Sequence, residues 1–176
     1  MKISFSHRLT LLCLLPLLFI TPSFGQDRPI NEVYAMMIFN FIKYTQWPEN
    51  ESKKDFVIGI VGNADIFSAM TASYNGKQFK GNKTILVSQF KNASEITDCE
   101  VVFLDNSKSK EFEPVMEKIK GKETLIITDQ RGLGSKGSCI NFRVVDGKLR
   151  FEINQKAVES ANLRVSNSLT SMAILI

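Results

Sequence analysis

The chain has 176 residues, a formal net charge of +4, 44% hydrophobic and 23% charged side chains. That composition is ordinary for a globular domain and excludes a disordered chain. The length suits one domain and excludes a multidomain enzyme or a polytopic membrane protein.

Residues 1–25 read as a secretory signal peptide. Lys2 and Arg8 supply its positive charge, Leu9 to Ile20 its apolar stretch, and Ser23 and Gly25 the small residues before cleavage. The apolar stretch is about 12 residues and is broken by Pro16, too short to span a bilayer. Cleavage after Gly25 leaves a single domain over residues 26–176, with no direct membrane insertion. Loss of Lys2 and Arg8 lowers the charge from +4 to +2, so nucleic acid is not an expected partner. The single histidine, His7, also leaves with this segment. A Ser-His-Asp or Cys-His arrangement, or a zinc site with an imidazole ligand, is then out of reach.

From Pro29 onward, Ile30, Val33, Tyr34, Met37, Ile38, Phe41, Ile42 and Tyr44 recur at helical spacing and predict a helix over 30–44. Met36 and Phe39 make its far side apolar too, as in a helix that is buried or shared with a partner. Phe56 to Val61 predicts a strand buried on both faces, as in a parallel sheet. A short helix over 64–74, a turn at Asn75-Gly76 and a strand over 84–87 follow. Further strands are expected over 100–104 and 124–128, with a helix over 110–119 between them. Ile140, Phe142 and Val144, then Leu149, Phe151 and Ile153, alternate with polar residues on either side of Asp146-Gly147. That pattern predicts a β-hairpin. Asn154 is placed to cap a helix over 155–161. Ser166 or Asn167 is placed to cap a last one with Leu169, Met172, Ala173 and Ile176 inward. The expected fold is α/β: one layered domain, a mostly parallel central sheet with a C-terminal β-hairpin, and flanking helices.

Candidate sites are few. Gly59 to Ala64 sits where a strand feeds a helix, but lacks the third glycine of a dinucleotide fingerprint and the lysine of a P-loop, so turn geometry is the better reading. Asp129 to Ser138 follows a strand end, where open α/β sheets place ligands. Arg131, Gly132, Gly134 and Lys136 there could form an anion-binding nest, or simply a loop leading into the hairpin. Asp98-Cys99-Glu100 offers one thiolate and no imidazole, a poor metal site. No catalytic residue, cofactor or metal is expected. Cys99 and Cys139 both precede strands. If the intervening strand separates them they lie about 10 Å apart or more, beyond the roughly 7 Å that a disulfide allows, so they are expected unbridged.

Tyr34 to Pro48, Phe56 to Gly62, Cys99 to Leu104, Gly137 to Phe142, Gly147 to Asn154 and Leu163 to Leu169 together resemble the YfiR-like family of secreted bacterial proteins. The resemblance covers nearly all of residues 26–176. It implies a periplasmic, non-enzymatic regulator that binds the periplasmic region of an inner-membrane sensor protein. In that role the family restrains a diguanylate cyclase, and release of the restraint raises cyclic di-GMP and promotes biofilm formation. The best-known members carry two disulfides; residues 26–176 hold two cysteines in all, so paired bridges do not carry over. Phe39, Lys43 and Trp47 are the candidate contacts with the sensor or with a second copy in a homodimer. The rival class is a periplasmic small-ligand binding module feeding a sensor kinase through the glycine-rich loop.

Overall fold

Five apolar runs become the parallel heart of an eight-stranded sheet in a computed structural model that describes residues 28–48 and 53–176. The expected signal peptide and its cleavage site lie outside the described residues. The chain opens with α1 (Ile30–Tyr44) and a two-residue strand β1 (Thr45–Gln46), then β2 (Asp55–Val61), α2 (Ala64–Tyr74), β3 (Gln78–Phe79) and β4 (Lys83–Phe90). Next come β5 (Val101–Leu104), α3 (Phe112–Ile119), β6 (Leu125–Thr128), β7 (Ile140–Val145) and β8 (Lys148–Ile153). The chain closes with α4 (Gln155–Ser160), β9 (Arg164–Val165), α5 (Asn167–Thr170) and β10 (Ile174–Leu175).

The parallel strands lie in the order β4-β2-β5-β6-β7. The three central strands, β2, β5 and β6, are buried because helices and loops cover both faces, which is why they read as nearly unbroken apolar runs, whereas β4 keeps Leu86 in solvent. Since β4 and β5 flank β2 on opposite sides, the connections reverse direction there. Open α/β sheets place ligand crevices at such a reversal, here the carboxyl ends of β2 and β5. β8 adds antiparallel to β7 with Asn141 opposite Glu152, and β10 pairs in parallel with β8. β3 closes the other edge, and β1 with β9 makes a separate ribbon.

Local chemistry explains most of the boundaries. Asp146 and Gly147 have φ of 50° and 72°, the left-handed pair a two-residue hairpin loop requires. Asn63, Asn154 and Ser166 each accept a hydrogen bond from a backbone N–H in the first turn of α2, α4 and α5. Ala35, Ile38, Phe41 and Ile42 are the buried stripe of α1. Phe41 packs at 5.4 Å on Phe142 and 4.8 Å on Phe151, and Tyr34 at 4.5 Å on Phe142.

Three expectations need correction. α3 begins at Phe112, because residues 106–111 form a 3₁₀ turn capped by Asp105. The last helix is only four residues long: Leu169 is inward, but Met172 and Ile176 are exposed, and residues 174–175 form an edge strand. Tyr44, counted on the apolar face of α1, is exposed at the helix end. Asn141 and Glu152, polar positions in the alternating hairpin, are buried. The hairpin base is covered on its second side by Gly134 and Ile176; a Cβ on Gly134 would fall 2.8 Å from Glu152 and 2.9 Å from Ile176.

Candidate functional site

On α1, Phe39 is half-buried: its ring stacks on Tyr74 of α2 at 4.1 Å and lies 5.9 Å from Phe79 of β3. Of the apolar far side of the helix, Phe39 is therefore covered within the chain, by two elements whose placement beside α1 the residue spacing did not disclose, while Met36 stays exposed. Trp47 is half-buried too. Its indole N–H donates to the Glu123 carbonyl at 3.0 Å, its ring meets Phe56 edge-on at 5.1 Å, and the Lys80 ammonium sits 4.9 Å above it. The same ammonium donates to the carbonyls of Ile42 and Thr45, which neutralises the negative end of α1. Burial lowers the pKa of Lys80. The residues of α1 left in solvent are Ile30, Glu32, Met36, Lys43 and Tyr44. Met36, Asn40, Lys43 and Tyr44 fall on one stripe by their 3/4 spacing. Near its amino-terminal end, between α1 and α2, lies an open hollow of about 580 Å³ lined by Met36, Asp65 and Tyr74.

Gly62, Asn63 and Asp105 stand at the carboxyl ends of β2 and β5. Gly62 has φ of +108°, and a Cβ there would press on Asp105 and Lys108 at 3.0 and 2.8 Å. The Asn63 amide donates to Asp105 at 3.1 Å, while its carbonyl oxygen caps α2. With its own cap in place, that helix start offers little to a phosphate. At the end of β6, one carboxyl oxygen of Asp129 is enclosed without a hydrogen-bond partner. Burial first, and the neighbouring Asp105 second, push the Asp129 pKa up to about 6, against the pull of backbone N–H groups at Asn106 and Asp129. The pKa of Tyr34 is raised by burial and by the same two carboxylates. Sequence spacing could not join Asp105 to Asp129, since only the adjacency of β5 and β6 does so.

The glycine-rich loop is a closed turn. Backbone N–H groups of Leu133, Lys136, Gly137 and Ser138 donate to carbonyls within residues 130–134, and the Asn154 amide donates to the Gly134 carbonyl at 2.9 Å. A nest needs free, convergent N–H groups; these are already engaged. Arg131, Gly132 and Lys136 are exposed and Gly134 is buried. Behind the loop runs a buried polar ladder. Thr128 donates to the Asn141 side-chain Oδ1 at 2.7 Å, the Asn141 side-chain amide to Glu152 at 3.0 Å, and Arg143 to Glu152 at 2.7 Å. The residues that carry the family resemblance here are those that hold the loop against the sheet.

Lys136 and Gly137 also form one wall of a groove of about 440 Å³ between α3 and α4. Cys139, on its floor, and Cys99 are free and buried, at the starts of β7 and β5 with β6 between them. Burial pushes both thiols up to about 11. Among the described residues no group of three His, Cys, Asp or Glu is placed to hold a metal ion, and no helix is long and apolar enough to cross a membrane.

Residues 31–174 match the family model described as YfiR/HmsC-like (DUF4154). No curated protein matches the chain. Among solved structures, the ABC domain in complex with L-Trp from Streptococcus pneumonia is similar with a TM-score of 0.54 at 11% identity, over 83% of this chain and 60% of its own. A conserved domain protein from Vibrio cholerae O1 biovar El Tor is similar with a TM-score of 0.54 at 10% identity, over 82% of this chain and 59% of its own. The chain thus spans about 60% of the length of each of these structures, and at such identity the likeness is one of fold alone.

Proposed function

The chain belongs to the YfiR/HmsC-like family, and from that premise we propose that it is exported to the periplasm and regulates cyclic di-GMP signalling. It does so by binding the periplasmic region of an inner-membrane diguanylate cyclase and holding that enzyme in a restrained state. The family match over residues 31–174 is the observation that carries this reading. The exposed stripe of α1 supports it: Met36 and Tyr44 are large side chains in solvent, and aromatic and methionine side chains are enriched in protein interfaces. Lys43 joins them as a charged flank. Phe39 and Trp47 act here from beneath, fixing the helix that presents the stripe. A second copy of the chain docked on this stripe would compete with the sensor for it.

Deleting the gene should raise cellular cyclic di-GMP and biofilm, and the wild-type gene should restore both. A protein exported as proposed begins at or near Gln26 when recovered from the periplasmic fraction and sequenced from its amino terminus. Unchanged cyclic di-GMP in the deletion strain, or recovery of the intact Met1 form from cytoplasm alone, would overturn the proposal.

A further inference from the structure

The groove bounded by α3, the glycine-rich loop and α4 has two properties that belong together. Its floor is apolar, with Met116, Ile119 and Ile126 lining it, and its walls carry Lys120, Lys122, Lys136 and Lys156. These lysines come from three separate stretches of chain, and no carboxylate is among the described residues that line the groove. Lys120 has an exposed Glu117 at 3.5 Å, while the other three have no ion-pair partner among the described residues. The Cys139 thiol, held protonated by burial, leaves the floor uncharged. A one-signed rim over an apolar floor attracts a ligand with the opposite charge and an apolar body. The volume of about 440 Å³ falls in the range of small-molecule sites and is small for a folded partner.

We propose that this groove binds a small amphipathic anion, an organic acid whose apolar body lies over Ile119 and Ile126 and whose acid group is held by the lysine rim. The inference rests on the groove alone and does not depend on the regulatory reading. Binding is measured on the purified protein, so failure here leaves the cyclase proposal to its own test.

The probe is 8-anilinonaphthalene-1-sulfonate, an amphipathic anion that fluoresces when its ring leaves water. It should bind the protein at one saturable site, be displaced by decanoate, and resist displacement by decanol or inorganic phosphate. Lys136→Glu combined with Lys156→Glu should weaken both anions at least tenfold. Both lysines are exposed, so the melting temperature should stay at the wild-type value. As a second variant, Ile119→Ala should weaken decanoate while leaving the salt dependence of binding intact. Displacement by phosphate as good as by decanoate, affinity unchanged in the double lysine variant, or binding of an acidic peptide in place of decanoate would each overturn the proposal.

Discussion

Replacing Glu152 by alanine should cost about 3 kcal/mol, far more than a charge change at an exposed strand position. Glu152 is buried, with its side chain 9% exposed, and it accepts hydrogen bonds from the Asn141 amide at 3.0 Å and from Arg143 at 2.7 Å. Asn141 is completely enclosed, so its amide would be left dry and unpaired, at about 1–3 kcal/mol. Arg143 has 41% of its side chain in solvent. It rehydrates when its partner is lost, and its share stays below about 1 kcal/mol. The lost Cγ methylene and the space opened beside Gly134 add about 1 kcal/mol. For a domain of this size the total lowers the melting temperature by about 6–12 °C. Thermal melts followed by circular dichroism, checked by urea unfolding, read the loss directly. Arg143→Ala, the comparator, should cost less than about 1 kcal/mol. A Glu152→Ala variant within about 1 kcal/mol of wild type, or an Arg143→Ala loss as large, would refute the reasoning.

Asp129 makes stability depend on pH in a defined direction. Its folded pKa of about 6 lies above the ordinary 3.8, so the folded state binds the proton more tightly. Its contribution is full below pH 4 and is lost as pH rises through 6; after discounting for partial solvent access it amounts to about 1–2 kcal/mol. Asp129→Asn should flatten that slope and raise the melting temperature at pH 7.5, and an unchanged pH profile would contradict it. Cys99 and Cys139, with thiols raised to about 11, should stay unreactive toward a thiol reagent in the native mature protein and both react in guanidinium. A Cys99–Cys139 peptide from alkylated, unreduced protein would refute this. Phe39→Ala removes the stacked pair with Tyr74 and should lower stability by about 2 kcal/mol. Tyr44→Asp should leave melting unchanged and impair cyclase restraint. Equal melting losses in both would remove the distinction between the support beneath the stripe and the stripe itself.

The sheet was legible because its central parallel strands are covered on both faces and so write apolar runs, as in Phe56–Val61. The hairpin was legible because Asp146-Gly147 chemistry fixes its turn locally. What escaped was set by contacts distant in sequence. Phe39 is covered by Tyr74 and Phe79, 35 or more positions away, and its helical spacing alone left it looking free. The alternation of Asn141 and Glu152 with apolar residues marks strands but not that a loop glycine and Ile176 close over these two polar side chains. The four-lysine groove gathers residues 120 to 156 from elements whose adjacency no local pattern encodes. Met172 and Ile176 were placed inward by a helical period that stops at Thr170, where an edge strand takes over.

The proposed restraint of a membrane cyclase through the α1 stripe is tested most directly by site-specific photo-crosslinking in living cells. A photoreactive residue at position 44 should capture the periplasmic region of an inner-membrane diguanylate cyclase, identified by mass spectrometry, and Tyr44→Asp elsewhere-tagged protein should fail to compete for it. The same residue at position 117, an exposed site on α3, should give no such product. Equal capture from both positions, or a protein that captures no cyclase from position 44 while cyclic di-GMP remains under its control, would contradict the account.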